Sequence, residues 1–302
     1  MGNAYYDYSC PMKGVLLAGG SGLRLGPLAV ATSKQLLPVY DKPLILYPLS
    51  TLMLASIRDI SVISTPHDLA PLQHLLGDGS QLGLNLTYHE QELPRGVAEA
   101  PIIAEESLEG QPFCLVLGDN VFHGSGLGRA LAQPAPHEQA TIFAYAVSDP
   151  SPYAVVSFGD SGEPESLEEK PEQPKSRWAV PGLYFLPGDA PEVAKELRPS
   201  RRGELEITDL MRWYLDRDLL RVRRLPRGSV WLDAGTPDSL LAASQYVHTV
   251  AERQGLSVSC PEEIAYRQGW IGAEDVLRQA ERFNRSTYGR YLRQLLDSEW
   301  SD

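Results

Sequence analysis

The segment from Leu16 to Pro38, LLAGGSGLRLGPLAVATSKQLLP, sets Gly19, Gly20, Ser21 and Gly22 behind an apolar run, then Arg24 and, further on, Lys34. Glycines that follow a strand let backbone N–H groups approach an anion closely. A guanidinium adds a forked donor and an ammonium adds a point charge. Together these groups suit a triphosphate. The spacing is that of neither common phosphate loop. No Lys-Ser/Thr follows a G-x-x-x-x-G, and Gly20-x-Gly22 meets Leu25 where a dinucleotide fingerprint has its third glycine. A tight turn flanked by solvent-facing cations is the plainer reading of the same residues.

Asp119 lies just past a second apolar run, in LGDN. Open α/β sheets bind ligands outside the carboxyl ends of their strands. A carboxylate there suits a hard cation such as Mg²⁺, which takes one or two carboxylates plus phosphate oxygens. Asp233, in VWLDAGTP, repeats the arrangement. Either Asp could instead simply begin a turn, and spacing alone does not bring the two together. The runs Leu167-Glu168-Glu169-Lys170-Pro171 and Arg201 to Asp209 read equally as solvated charged edges. The chain has 6 His, none beside a Ser or Cys in a nucleophile-like context. Covalent hydrolase chemistry therefore has no support.

Positioning these residues requires a strand–helix alternation. Met12–Ala18, Asp59–Ser64, Asn85–Glu90 and Phe113–Leu117 read as strands; Pro43–Ser56, Leu69–Leu76 and Gly96–Ser107 read as helices. That rhythm predicts an α/β chain with a mixed, mostly parallel sheet. Thr141–Val147, Tyr153–Phe158, Ser166–Glu169 and Ala179–Leu186 predict short antiparallel or mixed additions to the same sheet. Asp238–Arg253, Pro261–Arg267, Ala273–Arg282 and Ser286–Leu296 predict a helical C-terminal tail. With no repeat or linker, residues 12–302 read as one domain behind an N-terminal extension, 1–11. Its first half is about 12–120, its second about 121–236 and its C-terminal helices about 237–302.

The 302 residues carry 39 Asp+Glu against 27 Lys+Arg, a formal net charge of −12. Sequence-general nucleic-acid binding needs a basic footprint and is not expected. Hydrophobic residues at 43% and charged residues at 22% are those of an ordinary globular chain. Cys10, Cys114 and Cys260 are far apart and form no C-x-x-C, so neither a disulfide framework nor a zinc site is expected. Cys114 sits in an apolar run and reads as core. The apolar stretch Leu44 to Ala55 falls short of the about 20 residues a membrane helix needs. With no basic, apolar leader at the N-terminus, a cytoplasmic protein without membrane contact is expected.

The run GGSGLRL…SKQLLPVYDKP resembles the signature of sugar-1-phosphate nucleotidylyltransferases. LVLGDNVFHG, SLEEKP, GLYF, RGELEITDL, WLDAGT and ERQGLSVSCPEEIAYRQGWI narrow the resemblance to glucose-1-phosphate thymidylyltransferases, from about Met12 to Tyr291. The resemblance implies a Rossmann-like nucleotidyltransferase fold, Mg²⁺ dependence and a homotetramer. It implies joining a nucleoside triphosphate, dTTP first, to a sugar 1-phosphate, with release of pyrophosphate. By the same resemblance Gly19, Gly20, Ser21 and Gly22 wrap the triphosphate, while Arg24 and Lys34 grip its phosphates. Asp119 and Asp233 hold Mg²⁺. Lys170 and Arg202 bind the sugar phosphate. Tyr153, Glu169 and the backbone at Val180 face the sugar, and Gln91 and Gly96 face the base.

The departures from the family pattern carry expectations of their own. Leu23 stands where Thr is usual and Gly26 where Tyr is usual. Ala154 replaces a glycine at the sugar, and Trp178 and Pro181 also differ, which predicts a modified or larger sugar 1-phosphate. The base segment reads QELPRGVAEA, with Glu92 and Glu99 in place of neutral residues. Two added acceptors would suit the amino group of guanine, so GTP stands as an alternative triphosphate. A non-catalytic nucleotide-sugar binding protein is the second alternative.

Overall fold

The structure, a computed structural model, describes residues 12–20, 22–131 and 138–297. The expectations for Ser21, for Cys10 and for the extension 1–11 lie outside the described residues. The strands are β1 Lys13–Leu17, β2 Pro38–Val39, β3 Lys42–Pro43, β4 Asp59–Ser64, β5 Asn85–Glu90, β6 Phe113–Leu117, β7 Asn120–His123 and β8 Ala140–Ala146. They continue with β9 Ala154–Phe158, β10 Pro164–Glu169, β11 Trp178–Val180, β12 Leu183–Leu186, β13 Leu220–Arg224 and β14 Val230–Asp233. The helices are α1 Leu46–Leu54, α2 Pro66–Leu76, α3 Glu99–Leu108, α4 Leu127–Leu131, α5 Ala190–Glu196 and α6 Ile207–Leu215. The C-terminal ones are α7 Pro237–Gln254, α8 Pro261–Arg267, α9 Ala273–Arg282 and α10 Thr287–Gln294.

One sheet runs through both halves of the molecule in the order β10-β9-β11-β8-β12-β6-β1-β4-β5, with β13 also on β8. The stretch β6-β1-β4-β5 is parallel. From β12 outward the ladders are antiparallel, except for β13, which runs parallel to β8. Of these, β1, β4 and β6 are covered on both faces and largely apolar without alternation, while β5 lies at the edge, with Leu86 buried between the exposed Asn85 and Thr87. Val15, Phe113 and Leu115 enter one core with helices α3, α5 and α6; Leu16, Cys114 and Val116 enter the other with α1. Cys114 is core, as its setting predicts.

Local signals end the elements where the site needs loops. Pro66 opens α2 and Gly77, at φ 60°, closes it. Thr236 caps α7: its Oγ1 accepts from Ser239 N–H at 3.2 Å, and Ser239 Oγ accepts from Thr236 N–H at 3.0 Å. This capping box fixes the turn directly after Asp233.

Several expectations are corrected by tertiary context. Ala179–Leu186 is two strands, not one, because Pro181 has no N–H for the ladder and Gly182 turns inward. The helix expected from Pro43 begins at Leu46, since Lys42 and Pro43 pair with Val39 and Pro38 in a small ribbon. The helix expected from Gly96 begins at Glu99. The short elements β7, α4, α5 and β13 had no strong periodic signal. Among the described residues no helix is long and apolar enough to cross a membrane.

Candidate active site

The carboxyl ends of β1 and β6 open into a cleft of about 600 Å³ that contains Gly19, Gly20, Lys34, Gln91, Gly96 and Asp119. A neighbouring recess of about 170 Å³ contains Tyr153, Ala154, Glu169, Val180, Trp231 and Asp233. Arg24, Asp119, Lys170 and Arg202 line both, so the two form one continuous site.

The glycine turn is held from beneath. Ser64 Oγ donates to Ala18 O at 3.0 Å, and the buried Gln35 donates from Nε2 to Gly19 O at 3.0 Å. Gly20 then takes φ 104° and Gly22 φ 61°, values that L side chains rarely adopt. Lys34 passes directly under Gly20: a β-carbon at Gly20 would lie 3.6 Å from Lys34 Nζ.

Lys34 Nζ donates to Asp119 Oδ2 at 2.6 Å, and both side chains are largely covered, at 15% and 14% exposure. Burial works against the Asp119 carboxylate. The charge and hydrogen bond of Lys34, with a further bond from Asn120, outweigh it and hold the carboxyl below its ordinary pKa.

The convergence of Asp119 and Asp233, open at the level of sequence, is produced by strand pairing. β14 lies antiparallel to β7 and sets Asp233 opposite Asn120, while Ala234 N–H donates to Asp119 O at 2.9 Å. Burial pushes the Asp233 carboxyl up, and the charge of Asp119 adds to the push; Tyr153, which donates to Asp233 Oδ1 at 3.1 Å, opposes it. Arg24 reaches the same point from the loop at 23–29. A β-carbon at Gly235 would lie 2.7 Å from Arg24 Nη2, so the guanidinium packs directly against this glycine.

This donor set fits Mg²⁺. Two hard carboxylates disfavour each other's ionisation, a conflict that a divalent cation held by both would relieve. Among the described residues no group of three or more His, Cys, Asp and Glu is gathered for a metal. That suits an ion that completes its shell with phosphate oxygens and water.

At the recess end, Glu169 accepts from Thr208 Oγ1 at 2.5 Å and lies 3.5 Å from Lys170 Nζ and 3.3 Å from Arg202 Nη2. Arg202 also forks onto Glu206 at 2.8 and 2.9 Å. Lys170 is exposed and holds φ 44°, a left-handed conformation. Its N–H donates to Tyr153 O at 3.1 Å, which sets its side chain at the junction of cleft and recess.

The base segment is stitched to the segment before α6. Leu205 N–H donates to Arg95 O at 2.6 Å and Ala98 N–H to Leu205 O at 3.1 Å. Gly96, at φ 115°, abuts Leu205 so closely that a β-carbon would meet its carbonyl oxygen at 2.3 Å. Gln91 is buried and faces Gly19 across the cleft.

Two expectations built on departures do not survive this geometry. Glu92 is exposed and lines neither cavity, and Glu99 already accepts from Gln91 Nε2 at 2.7 Å. The pair thus offers no open acceptor site for guanine. Trp178 packs on Phe158, with Arg224 over its ring at 4.9 Å, and lines neither cavity, so its difference does not shape the recess.

Comparison with known proteins agrees with this arrangement. The family model described as Nucleotidyl transferase matches residues 13–250. The chain belongs to the nucleotidyl transferase family. Within that family it is 54% identical over 281 residues to the glucose-1-phosphate thymidylyltransferase of Xanthomonas campestris pv. campestris, covering 93% of this chain and 95% of the relative. It is 52% identical over 286 residues to the Mycobacterium tuberculosis enzyme of the same name, covering 95% and 99%. A crystal structure from Bacillus anthracis, assigned as a glucose-1-phosphate thymidylyltransferase and solved with a sucrose, superposes with TM-score 0.72 at 35% identity, covering 78% of this chain and 94% of that one. The chain is thus a nucleotidyltransferase enzyme, with the α/β fold, mixed sheet and C-terminal helices that the strand–helix rhythm of the sequence predicts.

The nucleotidyl transferase site also contains residues that sequence reasoning passed over. Asn120, 3% exposed, donates to Asp119 Oδ1 at 2.7 Å and accepts from Gly182 N–H at 3.0 Å and Trp231 Nε1–H at 2.6 Å. Trp231 in turn packs its ring 4.8 Å from that of Tyr153, the partner of Asp233. The Asn in LGDN was the available signal; Gly182 and Trp231, two of its three partners, are more than 60 residues away in sequence.

Proposed function

We propose that this chain joins dTTP to glucose 1-phosphate, giving dTDP-glucose and pyrophosphate. The observation that carries the reading is the continuous cleft. Gly19, Gly20 and Lys34 line the larger cleft, Glu169 and Asp233 the recess, and Arg24, Asp119 and Lys170 line both. The names of relatives above 50% identity support the substrate pair. They weigh against the two expectations of GTP and of a modified sugar.

A phosphate oxygen of glucose 1-phosphate attacks the α-phosphorus of the triphosphate in line. The new P–O bond forms as the bond from the α-phosphorus to the bridging oxygen breaks, and pyrophosphate leaves with that electron pair. No protein nucleophile is needed, so the side chains act by position and charge. The glycine turn offers close backbone approach, and Arg24 and Lys34 neutralise the triphosphate and the departing pyrophosphate. Lys170 orients the sugar phosphate, with Arg202 braced behind it by Glu206. Asp119 and Asp233 would hold Mg²⁺, which when bound withdraws charge from the phosphate oxygens. Homotetrameric assembly completes the proposal on the strength of the resemblance.

Pyrophosphate release, measured with five nucleoside triphosphates against a panel of sugar 1-phosphates, tests the reading. The highest kcat/KM is expected for dTTP with glucose 1-phosphate. Release from no pair would leave only a nucleotide-sugar binding protein. Lys170→Ala is expected to raise KM for glucose 1-phosphate about tenfold, the size of one charge-assisted contact. Its KM for dTTP should move much less, and an unchanged sugar KM would remove Lys170 from this role.

A further inference from the structure

We propose that Glu99 sets base selectivity by locking the side-chain amide of Gln91, a role that rests on the nucleotidylyl transfer proposed above. Gln91 is 3% exposed, and its Nε2 donates to Glu99 Oε2 at 2.7 Å and to Gly96 O at 3.4 Å. A carboxylate and a peptide carbonyl only accept, so they fix which way round the amide stands. The NH₂ points at Glu99 and the carbonyl oxygen points the other way. That oxygen faces Gly19, where an added β-carbon would lie 2.6 Å from it. Gly19 and Gln91 share the wall of the larger cleft.

Glu99 is itself held in place. It opens α3, where a negative charge is favoured by the helix dipole, and its Oε1 lies 3.7 Å from Arg95 Nε. With the NH₂ engaged, Gln91 presents an acceptor to the cleft. Thymine carries a ring N–H that this oxygen can accept, and cytosine carries a lone pair at the same ring atom. An unrestrained glutamine would turn its amide over and donate to cytosine. Held by Glu99 it cannot, and the wrong base leaves a buried polar group unpaired, the condition under which a site discriminates strongly. What the lock requires is an acceptor rather than a charge.

The test is kcat/KM for dTTP and for dCTP, with glucose 1-phosphate and Mg²⁺, in the full chain and its variants. Glu99→Leu keeps the bulk and removes the acceptor. It is expected to lower the dTTP-to-dCTP ratio at least about tenfold, with the change in KM rather than in kcat. Glu99→Gln restores an acceptor and is expected to hold the ratio within about threefold of wild type. Glu99→Ala should fall as far as Glu99→Leu and serves in its place if the leucine variant does not fold. A ratio unchanged in both acceptor-free variants overturns the proposal. So does a Glu99→Gln ratio as low as that of Glu99→Leu, since charge rather than acceptance would then be at work. If wild type turns over dTTP and these outcomes appear, only the lock is lost. If wild type releases pyrophosphate from no triphosphate, the parent reading fails and the lock fails with it.

Discussion

Asp119→Asn and Asp233→Asn are each expected to lower turnover about 10²–10³-fold, the range found when a single electrostatic contact to a developing charge is removed. The two substitutions differ in what else they disturb. Asn at 233 can still accept from Tyr153 OH, so the recess keeps its shape and only the charge is lost. Asn at 119 cannot keep both present bonds, because Lys34 and Asn120 both donate to the carboxylate. One of the two donors then faces an NH₂, and Lys34 loses its counter-charge. Asp119→Asn should therefore be the more severe and lower the melting temperature as well. The measurement is kcat against Mg²⁺ concentration, with circular dichroism to confirm the fold. Near-normal turnover at limiting Mg²⁺ in either variant would remove that Asp from the metal site.

Asn120→Leu should be the most damaging change outside the charged groups. It strands two buried donors, Gly182 N–H and Trp231 Nε1–H, and deprives Asp119 of a third contact. An unsatisfied buried donor costs about 1–3 kcal/mol, so a loss of roughly 3–5 kcal/mol is expected. That corresponds to a fall in melting temperature of about 5–8 °C in a chain of this size. Turnover should fall with it, because the Trp231 ring supports Tyr153 and through it Asp233. Trp231→Phe removes one donor and keeps a ring, so its thermal effect should be less than half as large. A melting temperature unchanged in Asn120→Leu would show that these three bonds do not hold the site.

The chemistry was legible in the sequence wherever it sits next to a strand end. Gly19, Gly20, Arg24 and Lys34 share one short segment, and Asp119 and Asp233 each follow an apolar run. Asp59–Ser64, Asn85–Glu90 and Phe113–Leu117 are observed at the bounds expected; the first and last are buried along nearly their whole length and carry a largely apolar signal, while Asn85–Glu90 is an edge strand with Leu86 turned inward between the exposed Asn85 and Thr87. What local pattern does not carry is pairing between distant segments. The meeting of the two aspartates depends on a ladder between residues 120–123 and 230–233. The fate of the two glutamates depends on reach. Glu92 ends in solvent, and Glu99, seven residues on, closes onto Gln91. Composition treats both as added negative charge. Only the tertiary fold decides which has a donor within hydrogen-bond distance, since that distance is set by the Leu205 contacts that bend the chain at Gly96.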